Sequence, residues 1–152
     1  MPSLGGKLLA IIIYMIPLAD GISFGNHLYL KYPFLQIIQI PVIPIILIER
    51  LIPFGSLMIF LGIFIGIVRN QKVSYFLRFN ALQSLLINIG IIIINYIFQI
   101  FLSPFSNTLI IRTFSSTLLI SLLSIITYSI FCCLKGNEPD LPGISNATKM
   151  QL

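Results

Sequence analysis

Three stretches of this chain, residues 51–68, 81–101 and 113–134, contain no charged side chain. A bilayer's hydrocarbon is crossed by about 20 apolar residues in helical form, and roughly 17 suffice. Within hydrocarbon each backbone N–H and C=O must be paired within the protein, so such runs can cross only as helices or as a closed barrel. The wider composition removes the water-soluble alternative. The chain is 57% hydrophobic and only 9% charged, with mean hydropathy +1.04. A soluble domain carries about 25% charged residues, so these few cannot cover the outside of a globule. The 152 residues suit one domain.

The runs predict an all-α integral membrane protein. It is a four-helix transmembrane bundle with helices at about 4–22, 51–68, 75–101 and 113–134. The first run is short, and reaches across if Lys7 extends its ammonium to the interface. It closes on Pro17-Leu18-Ala19-Asp20 rather than on the small residues of a cleavage site, so a retained helix is expected. Residues 34–48 are apolar but broken by Pro41 and Pro44. Proline removes a backbone donor and kinks a helix, so this stretch reads as an interfacial segment between the first two helices. The transmembrane domain is then residues 1–134. Residues 135–152 are polar, without periodicity, and hold Pro139, Pro142 and Gly143, which predicts a disordered tail.

The net charge of +5 raises nucleic acid as a partner, but the basic residues are scattered between apolar runs and form no basic, aromatic face. Nucleic-acid binding is therefore not expected. Topology accounts for them better. Lys7, the Arg69, Lys72 and Arg78 loop, and the tail with Lys135 and Lys149 all fall on one side of a four-helix bundle. The uncharged loop at 102–107 and the mixed-charge stretch at 20–50 fall on the other. This obeys the rule that Lys and Arg collect on the cytoplasm-like side, and makes Arg69, Lys72 and Arg78 anchors of the central turn.

The third helix carries amides along its whole length. Helical residues advance by about 100°. With Asn80 as the origin, Ser84 lies at about 40°, Asn95 at about 60°, Asn88 at about 80° and Gln99 at about 100°. Gln83 lies on the other edge, about 60° to the opposite side. An unpaired amide facing lipid costs several kcal/mol, so this stripe must face protein or a hydrated cavity. Two readings stand: glue between helices, and a polar path that is transient or completed by partner subunits. Thr117, Ser121, Ser124 and Thr127 of the fourth helix are candidate partners for the stripe. Gly62 and Gly66 form a GxxxG that suits close helix packing.

No catalytic or metal-ligating set can be assembled. The acids are Asp20, Glu49, Glu138 and Asp140, the single histidine is His27, and the two cysteines, Cys132 and Cys133, are adjacent. No enzyme activity, cofactor or metal is expected. The cysteines read as small buried residues at a helix end, and Asp20 as an end-capping or interfacial residue.

Four segments in order carry a family resemblance: YMIPLADGISFG at 14–25, the proline-broken stretch, IPFGSLMIFLGIFIGIVRN at 52–70, and LRFNALQSLLINI at 77–89. They resemble the twenty-kilodalton subunit family of the translocon at the inner envelope of chloroplasts (TIC) over nearly the whole chain up to Leu134. The most specific elements are Arg78-Phe79-Asn80 with Gln83, and Pro17-Leu18 with Asp20. Without a transit peptide the chain looks like the form encoded in algal plastids. The resemblance implies a multi-pass inner-envelope protein with both termini stromal. It implies a core or channel-associated role in preprotein import, with other membrane subunits of the complex, preproteins in transit and the lipid bilayer as partners. Arg78 would then sit at the stromal mouth. One departure is Asn88, where the family pattern carries Asp; it keeps a polar site but removes a charge. Other functions open to such a bundle are a small-solute or ion transporter of the plastid envelope and a purely structural assembly subunit.

Overall fold

The computed structural model describes residues 2–102 and 108–152, so residues 103–107 of the loop expected at 102–107 lie outside the described residues. Every regular element among the described residues is helical. Helix α1 (Leu4–Gly21) continues through a 3₁₀ turn (Ile22–Gly25) into α2 (Asn26–Lys31). Residues Pro33–Val42 form a second 3₁₀ stretch that leads into α3 (Ile43–Leu51). Helix α4 (Gly55–Ile63) ends in a π turn (Phe64–Val68). Helix α5 (Tyr75–Ile97) also ends in a π turn (Phe98–Leu102), and α6 (Leu109–Lys135) and α7 (Ile144–Gln151) complete the chain.

Local chemistry explains the boundaries. The Ser3 side chain accepts from the Gly6 N–H at 3.1 Å and starts α1. At the end of α6, Gly136 takes φ +80°, its N–H reaching the Cys133 carbonyl while the Asn137 N–H reaches that of Cys132, each at 3.0 Å. That is a Schellman stop, which needs the left-handed residue that glycine supplies. The Lys7 ammonium caps the Leu134 carbonyl at 3.0 Å. The start of α1 and the end of α6 therefore share one end of the bundle, called here the near end.

The protein is an all-α integral membrane protein built on a four-helix bundle. α1 runs from the near end to the far end, and α5 does the same. α6 returns. The segment Gly55–Val68 also descends: Gly55, Leu57 and Phe60 line one groove with Ile89, Ile92 and Tyr96, whereas Phe64 and Val68 line another with Leu82 and Arg78, and the π turn packs on α5. Arg78 Nε donates to the Val68 carbonyl at 2.9 Å and fastens the central turn. This second helix is shorter than the stretch 51–68 read from sequence, because the chain turns at 52–54 before entering it. Phe54 holds φ +57° there, and a Cβ on Gly55 would run into the Glu49 backbone.

By length and apolarity alone, Pro33–Leu51 qualifies as a span. Its course says otherwise. It leaves from Lys31 at the far end, and Glu49 lies beside Ile89, Ile92 and Tyr96 in the far half of α5. Only Val42 within it is buried. The proline-broken segment thus starts and finishes in the same half of the bundle, between the first two bundle helices.

The core lies where α1, α5 and α6 meet. α6 contributes Ile111, Ser115, Leu119, Leu122, Ile126, Ser129 and Cys133, a stripe at spacings of three and four. That period keeps one seam on its neighbours while Phe114, Ile120, Tyr128 and Phe131 face outward. The seam closes through Gly21 and Gly25. A Cβ on Gly21 would overlap Leu122, and one on Gly25 would overlap Tyr29 and come within 2.6 Å of Leu119. By contrast, a Cβ on Gly62 or on Gly66 meets nothing within 4 Å. The expected packing role of the GxxxG is corrected accordingly: within this chain those glycines face outward, and Gly21 and Gly25 make the close approach.

The tail also departs from expectation. Residues Ile144–Gln151 form α7, with Ser145 and Thr148 buried, and α7 packs on α5. Ser145 docks onto Gln83 of the core, while Thr148 bonds the Ile144 carbonyl of its own helix, and neither carries an apolar period.

Candidate functional site

The amides of α5 converge on α1 and the tail. Asn80, Gln83, Ser84 and Asn88 are at most 2% exposed. The centre is Tyr14 of α1, whose hydroxyl lies 2.9 Å from Gln83 Oε1 and 3.1 Å from Asn80 Oδ1. Its one proton serves one of these acceptors at a time. Cys133 Sγ of α6 is also 3.1 Å from Asn80 Oδ1, and Asn80 Nδ2 donates to the Phe76 carbonyl at 2.8 Å. Gln83 Nε2 donates to Ser145 Oγ at 3.0 Å and to the Pro139 carbonyl at 3.2 Å. Ser145 Oγ in turn accepts from the Leu141 N–H at 2.7 Å. One glutamine side chain therefore joins the first helix, the third helix and the tail.

Further along α5, Ser84 Oγ donates to the Ile13 carbonyl at 2.9 Å. Asn88 Nδ2 donates to Asp20 Oδ2 at 2.8 Å, and Asn95 Nδ2 to the Asp20 carbonyl at 3.1 Å. Asp20 does not cap its helix. It joins α1 to the stripe through both its side chain and its carbonyl. Beyond this point the stripe opens. Gln99 is exposed and, with Asp20, Ser23, Ile92, Asn95 and Tyr96, lines a groove of about 260 Å³. A larger apolar groove of about 660 Å³, shared at Ile92 and Tyr96, holds Glu49 at its edge.

The sequence-predicted residues thus divide. Asn80, Gln83, Ser84 and Asn88 are gathered in a closed, hydrogen-bonded core, while Asn95 and Gln99 reach a groove. Arg69, Lys72 and Arg78 cluster at the turn of the near end, with Arg78 on the Val68 carbonyl. The expected partners on α6 do not meet the stripe. Thr117 and Ser124 donate to carbonyls of their own helix, and Ser121 and Thr127 are exposed. The partners instead are Tyr14, Asp20, Cys133 and Ser145. Tyr14, Pro17 and Gly21 recur at three and four residues, a helix-face spacing that marks this side of α1 before any coordinates. Nothing comparable marks Ser145. Among the described residues no three His, Cys, Asp or Glu side chains come together.

Comparison with known proteins matches the sequence to one family. Residues 2–148 match the family model described as "Chloroplast import apparatus Tic20-like". A Tic20 family protein of Synechocystis sp. is 34% identical over 93% of this chain and 89% of its own length. The Tic20 family protein Ycf60 of the red alga Porphyra purpurea is 31% identical over 96% of this chain and 75% of its own length. Protein TIC 20-II, chloroplastic, of Arabidopsis thaliana is 25% identical over 96% of this chain and 72% of its own. With the family model covering almost all of its residues, the chain belongs to the Tic20 family.

Proposed function

We propose that this protein is a multi-pass subunit of the plastid inner-envelope import translocon, placed at its core or beside its channel, with both termini in the stroma. Family membership supports the translocon component. The basic residues support the orientation: Lys7, Arg69, Lys72, Arg78, Lys135 and Lys149 gather at the near end, as the positive-inside rule requires of the stromal face. The single observation that carries the working surface is the split of the amide stripe. Its near half is sealed by Tyr14, Cys133 and the tail, and its far half opens at Asn95 and Gln99.

In this reading the sealed half is scaffold and does not conduct. The open half, with the adjoining apolar groove, receives partner helices or an unfolded preprotein, whose backbone and side chains meet both amides and apolar walls. Nothing is hydrolysed; the contribution is a surface. Photocrosslinkers at Gln99 and at Gln83 test this during import of an arrested preprotein. Crosslinks from Gln99 to preprotein, and none from Gln83, are expected. If Gln99 labels neighbouring subunits and never preprotein, the channel-side role fails.

The purely structural reading rests on a specific observation too: five stripe residues, Asn95 among them, already bond within the chain. It predicts that alanine at Asn95 and Gln99 disrupts complex assembly while import by surviving complexes is unchanged.

A further inference from the structure

At the far end, α2 and the first turns of α6 enclose a groove of about 710 Å³. His27, Lys31 and Arg112 line it, together with the hydroxyl-bearing Thr113, Ser116 and Thr117. Its apolar side is Leu28, Leu109 and Ile120, and it continues along Ile110 and Phe114, whose side chains are 80% and 53% exposed.

The charges of Lys31 and Arg112 are unbalanced. The chain has four acids. Glu138 and Asp140 follow the other end of α6, about 40 Å away along a helix of this length. Asp20 is held by Asn88, and Glu49 borders a different groove. The Lys31 ammonium lies 5.5 Å from the Tyr32 ring, which does not neutralise it. The cluster also stands on the half of the bundle that the charge rule keeps poor in Lys and Arg. Basic side chains gathered there, rather than dispersed, call for an anion.

We propose that this groove binds a membrane glycerolipid with an anionic phosphate or sulfonate headgroup. His27, Lys31 and Arg112 take the headgroup, and one acyl chain lies along Phe114, Thr117 and Ile120. Charge complementarity selects the anion. The apolar continuation selects a lipid over a soluble anion, which has no use for exposed Ile110 and Phe114. An acidic protein segment would gain from the charges but leave that apolar trough unfilled. The site requires only that the far end lie at a bilayer surface. It therefore stands or falls separately from the translocon role and from the direction in which the bundle is inserted.

The test uses the full chain in nanodiscs of phosphatidylcholine containing a minor fraction of phosphatidylglycerol. Lipid retained after gentle detergent release is counted by native mass spectrometry. The wild type should retain phosphatidylglycerol well above its fraction in the disc. The double variant Lys31→Gln, Arg112→Gln should lose that enrichment, by about five-fold per removed charge. The control Arg69→Gln, Lys72→Gln at the near end should keep it. All four positions are exposed, and unchanged thermal unfolding verifies that the variants are folded. Equal retention by wild type and double variant, or equal loss in the control, overturns the site. Displacement of the lipid by millimolar inorganic phosphate makes the ligand a free anion and also overturns it. So does occupation of the groove by an acidic segment of a partner protein without phosphatidylglycerol enrichment.

Discussion

Gln83 shows how much one side chain can organise. Its amide nitrogen holds Ser145 and the Pro139 carbonyl, and its oxygen faces Tyr14. Removing one partner from a buried polar set leaves the others desolvated and unpaired, at about 1–3 kcal/mol each. Gln83→Ala should therefore destabilise the fold by roughly 3 kcal/mol and release the tail. The check is thermal unfolding in detergent with limited proteolysis: cleavage between 137 and 152 should rise before the body unfolds. Tyr14→Phe should cost about 1–3 kcal/mol, since Asn80 Oδ1 retains Cys133 but the buried Gln83 Oε1 loses its donor. Asn88 poses a related question. Asn88→Ala strips the Asp20 carboxylate of its donor, so Asp20→Asn should restore part of the loss. A double-mutant cycle measures that coupling. At this scale the sequence was informative in one direction only. Several polar side chains on one helical face cannot all face lipid, and that argument turned the whole stripe, Asn95 and Gln99 included, toward protein or a hydrated cavity without saying which residues meet which. Their partners could not be read the same way, because Tyr14 and Cys133 pass for ordinary apolar core and Ser145 for tail.

At the scale of elements, small residues decide how closely helices approach, and the two candidate glycine pairs behave oppositely. Gly21→Val forces a branched side chain into Leu122. Overpacking of this kind costs about 1–3 kcal/mol. Gly62→Val meets open space, and should change the stability of the isolated protein by no more than about 0.5 kcal/mol, as other surface substitutions do. Thermal unfolding of the two variants side by side checks the contrast, and a large loss at Gly62 would refute the packing described here. Native complex size gives a second readout: a smaller assembly for Gly62→Val at unchanged stability would mark that face as a subunit contact. Motif reading chose Gly62 and Gly66 because they interrupt a long apolar run. Gly21 and Gly25 have the same spacing, but they fall at the end of the first apolar run, beside Asp20, rather than inside a long one. The helices themselves were legible from uncharged runs. Their ends were less so, since α6 takes in Arg112 and starts at Leu109, where the arginine can extend its charge to the interface.

For the molecule as a whole, the path of residues 33–51 sets the number of crossings. Hydropathy makes this stretch a span, and a ten-residue 3₁₀ stretch rising about 2.0 Å per residue followed by α3 is long enough to be one. Length alone therefore leaves two topologies. In one the chain crosses here and Gly55–Val68 must turn back within the membrane. In the other the segment stays in one half and Gly55–Val68 crosses. Glu49 lines one groove with Ile89, Ile92 and Tyr96 of the far half of α5, and Phe64 and Val68 line another with Leu82 and Arg78; this placement favours the second. The prolines that made the stretch doubtful as a span supply the reason: Pro41 and Pro44 deny donors to neighbouring carbonyls, which water or headgroups at an interface can satisfy and hydrocarbon cannot. Single cysteines at Lys31, Arg50 and Lys72 provide the test, in a background of Cys132→Ser and Cys133→Ser. Serine at 133 preserves a donor for Asn80. An impermeant maleimide added to sealed vesicles should label Lys31→Cys and Arg50→Cys from the same face, and Lys72→Cys from the opposite face. Labelling of Arg50→Cys together with Lys72→Cys would mean that residues 33–51 cross. It would also move Arg50 to the basic face and leave Gly55–Val68 with both ends on one side, contrary to the antiparallel descent that Arg78 fastens at Val68.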